Sequence, residues 1–187
     1  MKKYVWPSLK LTLVFIILCS VLYPLLIAGV AKLAPGAGKG VTVSVNGKIA
    51  GYANIGQKFT DDKYFWSRPS AVDYNASGSA GSNKGPTNPD YLKQVQERID
   101  TFLVHNPSVK KEEIPAELVT ASGSGLDPDL SPAGANVQVK RIAAARKLDE
   151  EQILFLIDKQ TEGPLLGMFG PAKVNVLKLN IELDKLK

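Results

Sequence analysis

One imidazole, the carboxylates of Asp127 and Asp129, and two glycine- and serine-rich loops are the residues here whose types and spacing could do chemistry. His105 is the only histidine in the chain. A hydrolase built on it would need a nucleophile and an orienting acid, and Ser124 with Asp127 could supply those types. Gly123-Ser124-Gly125 is only part of a G-x-S-x-G nucleophile elbow, and no apolar strand precedes it. His105 instead stands just before Asn106-Pro107, at a helix end, where a cation complements the helix dipole. Asp127 and Asp129 flank Pro128. Paired acids can act as acid and base or bind a cation, but Asp-Pro pairs in a Gly/Ser loop are more often turn and cap residues.

The loops at 75–89 (NASGSAGSNKGPTNP) and 122–132 (SGSGLDPDLSP) invite a phosphate reading, because backbone N–H groups at a helix start can cradle anions. A Walker A loop needs Gly-Lys followed by Ser or Thr, whereas Lys84 is followed by Gly85. Neither loop sits in a parallel βαβ unit with a dinucleotide fingerprint. Capped, glycine-permissive turns are the plainer reading. With one cysteine and one histidine in the whole chain, a Cys/His zinc site is not available. Tyr64, Phe65, Trp66 and Arg68 group aromatics with a guanidinium, a combination enriched at interfaces and equally at home in a core.

The elements that must position these residues follow from spacing. Val41, Val43 and Val45 alternate with polar residues before Asn46-Gly47, which signals a hairpin with a type I′ turn. Asn88, Pro89 and Asp90 open a helix, with Leu92, Val95, Ile99, Phe102 and Leu103 on its apolar face. Ser131 and Pro132 open a second, with Val139, Ile142 and Ala143 inside. Asp149 and Gln152 make a capping box for a third, carrying Ile153, Leu156 and Ile157. Leu177, Leu179, Ile181 and Leu183 alternate with polar residues, so Val174 to Leu183 is predicted to be a half-buried strand. The order hairpin, helix, helix, helix, strand gives an α+β domain with a mixed or antiparallel sheet and about three helices.

Leu11 to Ala31 runs for 21 residues without a charge. As a helix it would be roughly 31 Å long, enough to cross a hydrocarbon core once. The run is longer than the apolar region of a signal peptide, although Gly29-Val30-Ala31 resembles a cleavage site. It is apolar all round, unlike a surface helix. Cys19 lies mid-span after Leu18 and reads as a packing residue, not a lipid-attachment site. Lys2, Lys3 and Lys10 before the span, against Lys32 and Lys39 after it, favour a cytoplasmic N-terminus. The expected organisation is a cytoplasmic tail at 1–10, a transmembrane helix at 11–33, a linker at 34–40 and an extracytoplasmic domain at 41–187. Ser20, Pro24 and Ala28 give the span one small-residue face where another helix could approach, and Pro24 could kink it. No ionisable group lies inside, so the helix offers no ion pathway by itself.

The net charge of +5 comes entirely from residues 1–40, which hold five lysines and no acid. The rest is neutral, with 18 of the 23 basic residues against all 18 acidic ones. That distribution orients a membrane helix and leaves no basic face for nucleic acid. Residues 41–187 have no cysteine and are numerous enough for one ordinary core.

Several blocks, taken in order, resemble the C-subunit family of the bacterial Kdp potassium-transporting ATPase. They are Ile55-Gly56-Gln57 with Phe59, YFWSRPSA at Tyr64–Ala71 and GSNKGPTNP at Gly81–Pro89. They continue with TASGSGLDPDLSP at Thr120–Pro132, QVKRIAAAR at Gln138–Arg146 and TEGPLLGMFGPAKVNVLKLN at Thr161–Asn180. The chain departs from the family pattern at Asp129, where many members carry His, at Lys84, where Leu is frequent, and at Pro164, where Arg is usual. The resemblance implies a complex with a channel-like potassium-binding subunit, a P-type ATPase subunit and a small single-helix subunit. ATP and Mg would be handled by the ATPase subunit, whose phosphorylation motif this chain lacks. The C subunit is associated with assembly and stability of the complex and with a modulating effect on nucleotide affinity or potassium entry. On this reading the chain carries no catalytic residue, cofactor or metal ligand. Its candidate partner contacts are Ser20, Pro24 and Ala28 in the span, Tyr64, Phe65, Trp66 and Arg68, and Asn83, Asn88, Ser124 and Asp127 in the loops.

Overall fold

The computed structural model describes residues 2–186, which divide into a unit ending at Thr42 and a second beginning at Val43. In the first, helix α1 (Lys2–Ile17) passes through a π turn at Leu18–Leu22 into α2 (Tyr23–Ala31). Pro24 explains the turn. It has no N–H, and its ring crowds the carbonyl four residues back. The helix takes in an extra residue just ahead of it, so that the Tyr23 N–H bonds to the Leu18 carbonyl five residues earlier. Ser20 therefore sits within the π turn, while Pro24 and Ala28 follow on α2. The stretch Lys3–Ala31 is long and apolar enough to cross a membrane, and none of it is buried within the protein.

The second unit is α+β. Strands β1 (Thr42–Val45) and β2 (Lys48–Tyr52) form a two-stranded hairpin. Asn46 and Gly47 both have positive φ, 50° and 76°, as a type I′ turn requires. Three further strands, β3 (Asp129–Leu130), β4 (Thr161–Glu162) and β5 (Lys173–Asn175), form an antiparallel sheet with β5 in the centre. Asp129 pairs with Asn175, and Val174 lies between Leu130 and Thr161.

Helix α3 (Pro89–His105) begins where its cap residues place it: the Asn88 side chain accepts from the Tyr91 N–H at 3.0 Å. The Ser131-capped segment is two helices, α4 (Pro132–Asn136) and α5 (Val139–Arg146), separated at Val137-Gln138. Asp149 caps α6 (Glu150–Gln160) by accepting from the Glu151 N–H.

The strand predicted at Val174–Leu183 is corrected. Only its first residues lie in β5, and Val176–Leu183 is helix α7. The Asn175 side chain accepts from the Lys178 N–H and caps it. Val176, Leu177, Leu179, Asn180 and Leu183 are buried, a helical spacing that the alternation of Leu177, Leu179, Ile181 and Leu183 disguises. One core cluster gathers Phe65, Phe102, Leu130, Ile142, Ile153, Val174, Leu179 and Leu183 from these elements.

Candidate functional site

The segment Tyr64–Ser70 belongs to no helix or sheet, so its backbone polar groups must find partners elsewhere. Side-chain amides supply them. Asn180 on α7 accepts from the Phe65 N–H at 2.8 Å and donates to the Phe65 carbonyl at 3.0 Å. Gln138, between α4 and α5, accepts from the Trp66 N–H at 2.8 Å and donates to the Trp66 carbonyl at 3.3 Å. Both amides are buried, so these bonds form where water cannot compete. They lock the segment edge to edge against two helices.

Arg141 on α5 completes the arrangement. Its side chain is 3% exposed. It donates through Nη2 to Gln138 Oε1 at 2.7 Å, through Nε to Asn106 Oδ1 at 3.1 Å and through Nη1 to the Asp62 carbonyl at 3.0 Å. Its guanidinium carbon lies 4.4 Å from the Trp66 ring centroid, a cation–π contact. Burial pulls its pKa down to about 10, opposed by the Asp62 carboxylate, and leaves it charged at neutral pH. His105 Nδ1 lies 2.8 Å from Asp62 Oδ1, and its ring packs edge-on against Trp66 at 4.8 Å. The only imidazole is thus a neighbour of a structural arginine and its carboxylate.

The two Gly-rich loops meet on the other side of this segment. Arg68 Nη1 donates to Asp127 Oδ2 at 2.8 Å, and Asp127 Oδ1 accepts from the Asp129 N–H. Arg68 Nε is buried without a hydrogen-bond partner among the described residues. Ser70 Oγ donates to the Gly125 carbonyl at 2.6 Å, and Ser79 Oγ donates to the Ser124 carbonyl at 2.9 Å. Gly56 approaches so closely that a Cβ there would lie 2.4 Å from the Asp127 carbonyl oxygen. Gly125 has φ +68°, and a Cβ on it would lie 2.7 Å from the Ala80 carbonyl oxygen. The Tyr74 hydroxyl donates to the Arg68 carbonyl, and burial pushes its pKa up to about 12. Asp129 Oδ2 pairs with Lys173 at 2.8 Å, a contact that raises the lysine's pKa.

The expected site residues thus have distinct fates. Arg68 and Asp127 are brought together. Trp66 is partly buried against the core, and Phe65 is fully buried. That burial turns Phe65 away from the partner-contact role expected for it: its ring is core. The Tyr64 hydroxyl donates to Asp184, with Arg146 stacked over its ring. Asn88 is a helix cap. Asn83 takes a left-handed φ of 51° in its loop. Ser124 Oγ accepts from the Leu126 N–H, while His105 pairs with Asp62, so the pieces of a hydrolase triad are engaged separately. Among the described residues, no group of three or more His, Cys, Asp or Glu is placed to hold a metal ion. An open groove of about 470 Å³ runs past Phe59, Trp66, Arg68, Asp73 and Arg98, with charges of both signs on its walls.

Gln138, Asn180, Arg141 and Asn106 were not expected as site residues. A signal for two of them was present: Gln138 lies four residues before buried Ile142, and Asn180 shares the face of Val176 and Leu183. A polar residue on an apolar helical stripe must find a buried partner.

A family model described as KdpC: K+-transporting ATPase, c chain matches residues 5–185. The Potassium-transporting ATPase KdpC subunit of Flavobacterium psychrophilum is 57% identical over 185 residues, covering 99% of this chain and all of the relative. That of Flavobacterium johnsoniae is 58% identical over the same span and coverage. That of Bacteroides fragilis is 56% identical over 183 residues and 96% of each chain. The chain belongs to the family of K+-transporting ATPase c chains, the KdpC subunits.

Proposed function

We propose that this chain is a non-catalytic accessory subunit that holds a potassium-importing P-type ATPase together. Its helix docks against a membrane-embedded partner, and its folded domain engages the channel-like and ATPase subunits from outside. The N-terminus (1–10) lies in the cytoplasm, residues 11–33 span the bilayer, 34–40 link, and 41–187 are extracytoplasmic. Potassium is carried by the channel-like subunit, and ATP with Mg by the ATPase subunit. An external domain does not meet cytoplasmic ATP, so an effect on nucleotide affinity would travel through the membrane helix. The domain also shields or gates the external potassium entrance.

One observation carries the reading. The chemistry-capable side chains at the centre of the domain are engaged in holding backbone: Gln138 and Asn180 clamp Trp66 and Phe65, and Asp127 ties Arg68 to a loop. That is the construction of a rigid scaffold that presents surfaces.

Deleting the corresponding gene tests the proposal. Growth at limiting potassium should be lost, and the remaining subunits should no longer purify as an intact complex. Normal growth with an intact complex would sink the reading.

A further inference from the structure

Gly163 to Ala172 (GPLLGMFGPA) is a ten-residue run without a charge, between β4 and β5. Its apolar side chains point outward. Leu165, Leu166, Met168 and Phe169 are 60–79% exposed. The run is nevertheless built. Leu165 and Phe169 form an antiparallel bridge, each donating its N–H to the other's carbonyl at 2.9 Å. The Gly167 N–H bonds to the Pro164 carbonyl and the Met168 N–H to that of Leu165. Leu166 accepts a left-handed φ of 54° to close the turn. Four backbone donors are thus satisfied inside the tip, and it can enter a dry environment without stranding them.

We infer that Pro164–Phe169 is a preformed plug that seats in an apolar recess on another subunit of the same pump. The inference rests on the assembly role proposed above and names the element that performs part of it. Charge and area select this occupant. A loop that binds an anionic lipid surface adds cations beside its apolar residues, commonly with interfacial Trp or Tyr. This tip has neither. The residues bracketing it are Glu162, which pairs with Lys173 and Lys178, and Lys173, which is engaged by Asp129 and Glu162, so neither offers an unpaired cation to an anionic surface. A second copy of the chain is disfavoured by size. Four such side chains expose on the order of 500 Å², below the roughly 800 Å² per partner of a stable stand-alone interface. A patch this small suffices when a second attachment holds the same two proteins together, and the docking of the membrane helix proposed above provides one.

A spin label distinguishes the occupants. Cys19 is the chain's only cysteine, so Cys19→Ser with Leu166→Cys gives one labelling position. In the full complex in lipid vesicles, the label should be immobilised and protected from both oxygen and a water-soluble nickel chelate. Nickel collisions should fall about tenfold relative to the chain alone in the same vesicles, as for a group in a desolvated pocket. Unchanged nickel access, or oxygen access rising as it does with bilayer depth, would overturn the inference in favour of solvent or lipid. Leu166→Asp with Phe169→Asp should lower recovery of the other subunits about tenfold while the chain alone still unfolds cooperatively. Full recovery would also overturn it. If the labelled complex assembles with the tip open, the plug fails and the assembly role stands. If the complex forms without the chain at all, the assembly role itself fails.

Discussion

Arg68 donates to Asp127 Oδ2 at 2.8 Å across 59 residues of sequence, joining the Tyr64–Ser70 segment to the second Gly-rich loop. Both side chains are about a quarter exposed, 24% and 28%, so the pair is neither screened like a surface bridge nor fully desolvated. Asp127→Asn keeps the shape and removes the charge. It should cost about 1–2 kcal/mol, and Arg68→Met a similar amount, with the double variant no worse than the poorer single. Urea unfolding of the four proteins in a Trp6→Phe background, followed by Trp66 fluorescence, gives the coupling. Strictly additive losses would show that the two residues act independently.

Asn180→Leu should be among the most destabilising changes in the domain. It leaves the Phe65 N–H and carbonyl buried without partners, at about 2–4 kcal/mol together. Asn180→Asp keeps an acceptor for the N–H and should lose less at a pH where the carboxyl is protonated and can also donate. Denaturation midpoints of the two variants at pH 4 and pH 7 check the ordering.

Glycine substitutions should separate close packing from open turns. Gly56→Ala forces a Cβ against the Asp127 carbonyl, a backbone group that cannot swing aside, and should cost more than about 2 kcal/mol. Gly123→Ala meets nothing within 4 Å and should fall within about 0.5 kcal/mol of the parent. Melting temperatures of the purified chain in detergent are sufficient to rank them.

Tyr74 should ionise well above the ordinary phenol range. Burial raises its phenol to about 12 from an ordinary 10.0. A raised folded-state pKa adds stability that is complete below pH 10 and is lost as pH climbs from 10 towards 12. Tyr74→Phe should remove that late component from the 295 nm absorbance titration and flatten the alkaline fall in stability. An unchanged titration curve would contradict the burial argument.

His105→Ala should leave potassium-limited growth at parental level and lower stability by about 1 kcal/mol, through the lost Asp62 contact and the lost packing on Trp66. A collapse of pump activity in a folded variant would mean that the imidazole has a chemical role. Growth in limiting potassium, beside a thermal melt, separates the two.

Local chemistry made the hairpin, α3 and the cap of α6 legible, because Asn46-Gly47, Asn88-Pro89 and Asp149 act within a few residues of themselves. The C-terminal helix was not legible. Leu177, Leu179, Ile181 and Leu183 satisfy a period of two, and the decisive facts were that Asn175 caps and that Val176 and Asn180 face inward. The break at Val137-Gln138 was hidden because the backbone there keeps local bonds, the Gln138 N–H to the Ala135 carbonyl, while the Gln138 side chain serves Trp66, 72 residues away. The Arg68–Asp127 pair brings together residues flagged by type, but only the fold could pair them. The Asn180–Phe65 clamp spans 115 residues: the place of Asn180 on an apolar helical stripe signals a buried partner but does not say which.

The clamp has a further consequence for how the domain avoids sticking to itself. An extended, aromatic-rich segment outside any sheet is ordinarily a template on which another chain can add a strand. At Phe65 and Trp66 the template is occupied by two amides that cannot propagate it, because each ends in a helix and offers no onward N–H and carbonyl row. Gln138 and Asn180 thus act as end-stops. They complete the segment's hydrogen bonding and deny it to a stray strand during folding at a crowded membrane surface.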